Sequence, residues 1–295
     1  MTPDIHIDSD RCKKDGLCAA VCPGRVFAWS QGQKAQVVHP ERCTFCGQCI
    51  AVCPGAAIEH SALNAEAFER IDHGTWPEER ILSQFVASRR SIRAYKKKPV
   101  PRPLLERVAG STGLAPTGAF GTDARIRDVI LVSGEESMHR VAELTASYMR
   151  KLLAILDGFM VRQIARFSRS AATGRITVPD IRMRLERWET GENVITYDAP
   201  AAIFVVTDRA SPTPHEDCDA ALMNVLFTCH ALGLGACWNG WIAHAATGEH
   251  VRESGELRAF LGLPSGSLVL QAATIGWPRF RHHSIPPRET RIRWV

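Results

Sequence analysis

No apolar run in the 295 residues approaches the ~18 consecutive hydrophobic positions of a membrane-spanning helix. The opening residues, MTPDIHIDSDRC, lack the basic stretch and apolar core of a secretory signal. These absences point to a cytoplasmic protein with no membrane partner. No recognised nucleic-acid motif accompanies the net charge of +5, so no nucleic-acid partner is expected. A dinucleotide fingerprint is missing as well: GLGAC at 233–237 follows a helical stretch and does not lead from a strand into a helix. What remains is the composition of an ordinary globular protein, 45% hydrophobic and 23% charged. Its charge is uneven. Residues 1–60 balance six basic against six acidic side chains, so the excess lies downstream, where an anionic cofactor or substrate would use it.

The other deficiency is a single cysteine. Of ten cysteines, seven crowd into residues 12–53, and without a secretory signal they read as metal ligands. CTFCGQCIAVCP supplies Cys43, Cys46, Cys49, Cys53 and Pro54, the C-x2-C-x2-C-x3-C-P run that holds cubane iron–sulfur clusters. A zinc knuckle, or cysteines buried as small apolar residues, would not call for this spacing, this proline and a second copy. The copy lies thirty-one residues earlier, CKKDGLCAAVCP, with Cys12, Cys18, Cys22 and Pro23 in register and Asp15 where Cys46 stands in the other run.

This repeat resembles the two-cluster bacterial ferredoxins. By that resemblance Cys22, Cys43, Cys46 and Cys49 hold one [4Fe–4S] cluster, while Cys12, Cys18 and Cys53 hold the other, with Asp15 facing its fourth iron. Carboxylate is a harder, weaker partner for that iron than thiolate. The second cluster is therefore expected to be a [3Fe–4S] or a labile [4Fe–4S] cluster. Asp15 either ligates iron or points into water. Short apolar segments around the cysteines read as small strands, and the clusters would act as staples for a domain of residues 1–62 with little core. Residues 63–77 read as a linker, followed by a larger domain at 78–295.

In the larger domain, DVILVS (128–133), AAIFVVTD (201–208) and SLVLQAATIG (267–276) read as strands covered on both faces. Helices are expected after Pro77 and from Pro103, and a third with Ser133 and Glu136 as its capping box, running to about Asp157. Residues 219–235 read as a buried helix. The expected class is α+β: a small ferredoxin-like domain followed by an α/β sandwich.

Three stretches resemble the nitroreductase family of flavoproteins, in the family's order. SRRSIR provides Arg89, Arg90, Ser91 and Arg93, which in the resemblance hold the phosphate and ring edge of FMN. GLGACWNGW provides Gly235, Ala236, Cys237, Trp238, Asn239 and Gly240 at the family's turn over the flavin, with Cys237 read as a small buried residue. IGWPRFRHHSIPPR ends in Arg288, either a further phosphate ligand or a surface arginine. APTG supplies Pro116, Thr117 and Gly118, but Phe120 and Thr122 stand where the family commonly carries amide side chains. Arginines 162, 166, 169, 175, 182, 184 and 187 form either a basic lid or a solvated face.

The combination implies a reductase in which an external low-potential donor supplies electrons through two clusters to FMN. The acceptor would be a small nitro, quinone, enone or halogenated compound. The resemblance also implies a homodimer with FMN at its interface. No side chain stands out as a general acid. The alternative is a non-enzymatic electron carrier, or an iron- or oxygen-responsive switch, favoured by Asp15 and the altered loop.

Overall fold

The computed structural model describes residues 2–118, 127–164, 167–168, 176–248, 251 and 255–295. It divides into two compact units, residues 1–78 and the described residues from Glu79 onward.

The smaller unit repeats its backbone at the interval of its cysteine runs. β1 (Ile5–Ile7), α1 (Leu17–Val21) and β2 (Phe27–Ala28) recur as β3 (Gln36–Val37), α2 (Gln48–Val52) and β4 (Ile58–His60). β1 pairs antiparallel with β4 and β2 with β3, so each two-stranded sheet takes one strand from each half. Left-handed backbone recurs too: Lys14 and Phe45 have φ 59° and 57°, Gly16 and Gly47 73° and 70°, Arg25 and Ala56 51° and 47°. Non-glycine residues hold such angles only where their surroundings over-determine them. The halves also touch reciprocally. A Cβ on Gly24 would strike the carbonyl oxygen of Arg42, and one on Gly55 that of Arg11, each just before the other half's first cysteine. The core is small, built from Ile5, Ile7, Val26, Phe27, Ile50 and Ile58, and six of the seven clustered cysteines lie in or against it.

In the larger unit a four-stranded sheet has the order β5-β6-β8-β7 and is antiparallel throughout. Its strands are β5 (Arg127–Ser133), β6 (Ala201–Asp208), β7 (Gly235–Trp238) and β8 (Ser267–Gly276). Strand periodicity explains why β6 is apolar at nearly every position. Ala202, Phe204 and Val206 join one core cluster with α5 (Glu135–Leu156), α7 (Val178–Glu189) and α9 (Gly240–Thr247). Ala201 and Ile203 join the opposite cluster with α4 (Arg102–Gly110) and α8 (Pro214–Ala231). The sheet is the filling between two helical layers. α3 (Glu79–Ser88), α6 (Phe159–Ile164) and α10 (Glu256–Phe260) complete the described helices. None of these helices is long and apolar enough to cross a membrane.

Local expectations fail in two places. The Ser133–Glu136 capping box is not formed, because Ser133 is the last residue of β5 and pairs with Ala201. The helix instead enters through Gly134 at φ 99° with no side-chain cap. Residues 235–238, expected as a turn, are drawn into a strand by pairing with residues 273–276 of β8.

Candidate functional site

The seven clustered cysteines fall into two groups in space, and neither group is a single sequence run. One small cavity is lined by Cys12, Asp15, Cys18 and Cys53. A second is lined by Cys22, Cys43, Cys46 and Cys49, together with His60. The thiols repel one another in the same groups. Burial raises the Cys18 pKa, and Cys53 and Cys12 raise it further. Burial pushes the Cys49 thiol up to about 11, with Cys43, Cys46 and Cys22 adding to it. Crowded thiols, most of them half-buried and all of them free, are poor hydrogen-bonding neighbours but an apt thiolate donor set for a soft metal cluster. The residues therefore fit iron–sulfur clusters in both places.

Backbone N–H groups already point at the sulfurs. Val26 N–H donates to Cys22 Sγ at 3.4 Å and Ala57 N–H to Cys53 Sγ at 3.3 Å, the same bond in each half. Phe45 N–H donates to Cys43 Sγ at 3.4 Å. The Asp15 carboxylate is exposed and accepts from its own Leu17 N–H at 3.1 Å, a local turn at the start of α1. His60 stands 3.5 Å from Cys43 Sγ through Nε2, while its Nδ1 accepts from Ala62 N–H at 3.1 Å. Burial lowers the His60 pKa.

In the larger unit three distant segments meet at the β7 edge of the sheet. Ser91 forms a parallel bridge to Ala236, and Ile92 N–H donates to Ala236 O at 3.0 Å. Gly235 permits this approach, since a Cβ there would overlap the Ile92 side chain. Further along, Lys96 N–H donates to Trp277 O and Arg279 N–H to Ala94 O, both at 2.9 Å. A cavity of about 600 Å³ opens beside this junction, lined in part by Arg89, Arg90, Gly235, Ala236 and Trp277. Its described lining includes five arginine or lysine side chains and no carboxylate. No ion pair among the described residues involves Arg89, Arg90, Arg93 or Arg288. Burial lowers the Arg89 pKa, and the positive charges of Arg90 and Arg288 lower it further. Of these four arginines, Arg89 and Arg90 line the cavity, whereas Arg93 lines another with Glu192 and Asp198. Guanidinium groups without carboxylate partners beside a cavity of ligand size suit a planar ligand that carries a phosphate, so the cavity fits FMN.

Other side chains named from the sequence are committed to the fold. Arg90 donates to the carbonyl oxygens of Arg89 and Ala87, at 2.8 and 2.7 Å, and so caps α3. Asn239 donates to Ile195 O at 2.7 Å and accepts from Ile242 N–H at 3.4 Å, which caps α9. Gly240 opens that helix, and Trp238 is partly exposed. Cys237 is buried, and burial raises its pKa despite the nearby Arg93 and Ser91. Pro116, Thr117 and Gly118 do not line the cavity. The buried Asp217 accepts from Gly118 N–H at 2.9 Å and from Thr117 Oγ1 at 3.2 Å, while Arg127 donates to Ala115 O at 2.7 Å. Phe120 and Thr122 lie outside the described residues, as do Arg166, Arg169, Arg175 and the side chain of Arg162. Arg182, Arg184 and Arg187 are paired with Asp157, Asp180 and Glu192.

Sequence reasoning passed over Asp217, Arg127 and His60, and read His230 as structural. His230 Nε2 and Ser88 Oγ share a hydrogen bond at 2.8 Å, and the same hydroxyl lies 2.9 Å from Phe85 O. Burial, then the Arg89 charge, lowers the His230 pKa. A solitary acid, arginine or histidine leaves no pattern in sequence; its partners are far along the chain.

This geometry, a ferredoxin-type repeat followed by a helix-covered antiparallel sheet, has known counterparts. Residues 4–54 match the 4Fe-4S dicluster domain model, and residues 86–277 match the nitroreductase family model. The chain belongs to the nitroreductase family and carries a 4Fe-4S dicluster domain ahead of the family's domain. A protein of Archaeoglobus fulgidus, provisionally named NADH dehydrogenase/NAD(P)H nitroreductase, is 33% identical over 87 residues, 28% of this chain and 47% of the relative. One of Methanothermobacter thermautotrophicus with the same provisional name is 26% identical over 159 residues, 52% of this chain and 58% of the relative. The chain thus spans about half the length of the curated relatives it matches. The crystal structure of a nitroreductase with bound FMN from Bacteroides fragilis shares the fold. It aligns at TM-score 0.50 and 19% identity, over 74% of this chain and all of that one.

Proposed function

We propose that this protein is an FMN-dependent oxidoreductase that draws electrons from an external low-potential donor and reduces a small nitro, quinone, enone or halogenated compound. When bound, clusters supply one-electron transfer and FMN supplies two-electron storage with hydride delivery. The observation that carries the reading is one chain holding two thiol-lined cavities and a separate cationic cavity without carboxylates. In the smaller unit, Cys22, Cys43, Cys46 and Cys49 would hold a [4Fe–4S] cluster. Cys12, Cys18 and Cys53 would hold the second, of [3Fe–4S] or labile [4Fe–4S] type. In the larger unit, Arg89 and Arg288 bind the phosphate by charge, and Ser91 and Arg93 flank the ring edge. The small residues Gly235 and Ala236 let backbone approach the ring, and Trp238 packs nearby. Pro116, Thr117 and Gly118 are held away from that cavity by Asp217, which supports a homodimer whose second copy brings its own 115–118 loop to complete the site. The cytoplasm, where thiols stay reduced, is the compartment that suits these free cysteines.

The test is anaerobic. Protein loaded with iron, sulfide and FMN is reduced and mixed with one acceptor of each class while flavin absorbance is followed. Reoxidation by at least one class is expected; a reduced protein indifferent to all of them is no such enzyme. A second reading, a redox switch without turnover, draws on the Asp15 carboxylate being turned to Leu17 N–H. It predicts an oxidised-state three-iron EPR signal that disappears on adding ferrous iron and is absent in Asp15→Cys.

A further inference from the structure

The two halves of the smaller unit match in backbone but not at one position beside the sulfurs. Thirty-one residues separate Trp29 from His60, the same interval as Cys12 from Cys43, so the two occupy equivalent places in the repeat, Trp29 just after β2 and His60 at the end of β4. His60 lines the cavity of Cys22, Cys43, Cys46 and Cys49. Trp29 does not line the other cavity; its ring covers Gly16, and no hydrogen bond among the described residues joins it to a cysteine.

The hydrogen bonds of His60 fix its tautomer. A backbone N–H can only donate, so the bond from Ala62 N–H at 3.1 Å makes Nδ1 the acceptor. The ring proton is then on Nε2, the nitrogen 3.5 Å from Cys43 Sγ. The ring is held by two further features. β4 pairs His60 with Ile5, and Phe45 meets the imidazole edge-on with centroids 5.5 Å apart at 73°.

We propose that His60 is a positioning and tuning residue for the all-cysteine cluster: its Nε2–H donates to Cys43 Sγ and raises that cluster's reduction potential. The physical reason is charge. Reduction adds an electron whose density spreads onto the ligand sulfurs, and a donor N–H aimed at one of them stabilises the reduced form more than the oxidised one. The bond acts on one cluster only, so it differentiates two sites that the repeated backbone would otherwise make alike. The inference rests on the reading that Cys22, Cys43, Cys46 and Cys49 hold a cluster.

The experiment is an EPR-monitored redox titration of the full chain, with iron, sulfide and absorbance checked first for full loading. In His60→Phe the all-cysteine cluster becomes harder to reduce. Its redox equilibrium changes about tenfold, which for one electron is a fall of about 59 mV, and the other cluster's potential stays in place. His60→Gln, which keeps an N–H at similar reach, restores most of the difference. An unchanged potential in fully loaded His60→Phe overturns the proposal. Wild-type protein labelled with nitrogen-15 histidine gives a second measurement that no folding defect can confuse. Pulsed EPR should show a nitrogen coupling on one reduced cluster, and its absence overturns the proposal as well. Failure of the wild type to take up a cluster at these four cysteines overturns the cluster reading itself, and this inference with it.

Discussion

The two units of this protein relate their functional groups to their cores in opposite ways. In the smaller unit the cysteines are part of the core: six of them lie in or against a cluster whose largest members are isoleucines and one phenylalanine. In the larger unit the core is two substantial apolar clusters on either side of a sheet, and the cationic cavity sits at the sheet's edge, where Leu226, Leu234 and Ala236 of one cluster form part of its wall. Loading and folding should therefore be one event in the first unit and two events in the second.

Removing a ligand from the smaller unit gives the largest effect. Cys49→Ala should abolish the cluster at that cavity and with it the unit's cooperative melting, because a unit this small, with so few large apolar side chains, is marginal without its staples. Iron content, far-UV circular dichroism and limited proteolysis would report it. A normally protected unit in the iron-free variant would erase the contrast drawn here.

In the larger unit a buried carboxylate, Asp217, anchors residues 117 and 118. Asp217→Ala should cost about 1.5–3 kcal/mol in denaturant midpoint analysis, since it strips charge-assisted bonds from Gly118 N–H and Thr117. FMN uptake should fall together with it only where the 115–118 loop contributes to the site.

Ligand effects on the larger unit should be graded and should not be all-or-none. FMN at ten times its dissociation constant should raise stability by about 1.4 kcal/mol, with a fold retained in its absence. Arg89→Ala should remove most of that shift while leaving the ligand-free melt near the wild-type value. A larger unit that unfolds without FMN would put both units in the same class.

The smallest effect concerns pH. The folded-state pKa of His230 lies below its unfolded value, so the unfolded chain binds the proton more readily. The contribution is complete above the unfolded value near 6.5. It is lost as pH falls from there toward the folded value. Acidification from neutrality should therefore lower the larger unit's stability slightly. His230→Gln, which retains a hydrogen-bond partner for Ser88, should flatten that slope.

How much of this was legible in the sequence depends on the distance over which each feature is determined. The two cysteine runs were readable because ligand spacing within each is local and the run occurs twice, whereas the exchange of one cysteine between them followed only from the resemblance to two-cluster ferredoxins. The strand intervals 201–208 and 267–276 agree with the structure because burial on both faces leaves a continuous apolar run. The capping box failed because Ser133 satisfies a ladder position in β5, a tertiary fact that overrides a four-residue motif. Polar groups around the cavity were the least legible. Arg90 and Asn239 look free in the sequence, but their side chains are consumed by carbonyl oxygens and helix ends. Arg279 and Arg281 belong to the cavity wall, which becomes visible only once residues near 90, 235 and 278 are brought to one sheet edge.

The exchange between the halves of the smaller unit limits how this module can be divided. Cys53 lies with Cys12 and Cys18, and Cys22 with Cys43, Cys46 and Cys49. Neither half closes a donor set by itself. A gene encoding one repeat would yield a peptide that reproduces neither of these donor sets without a second copy of the repeat. The fused repeat is in this sense a tethered dimer whose two sites need not match: one has a carboxylate where the other has a thiol, and the other has an imidazole where the first has an indole.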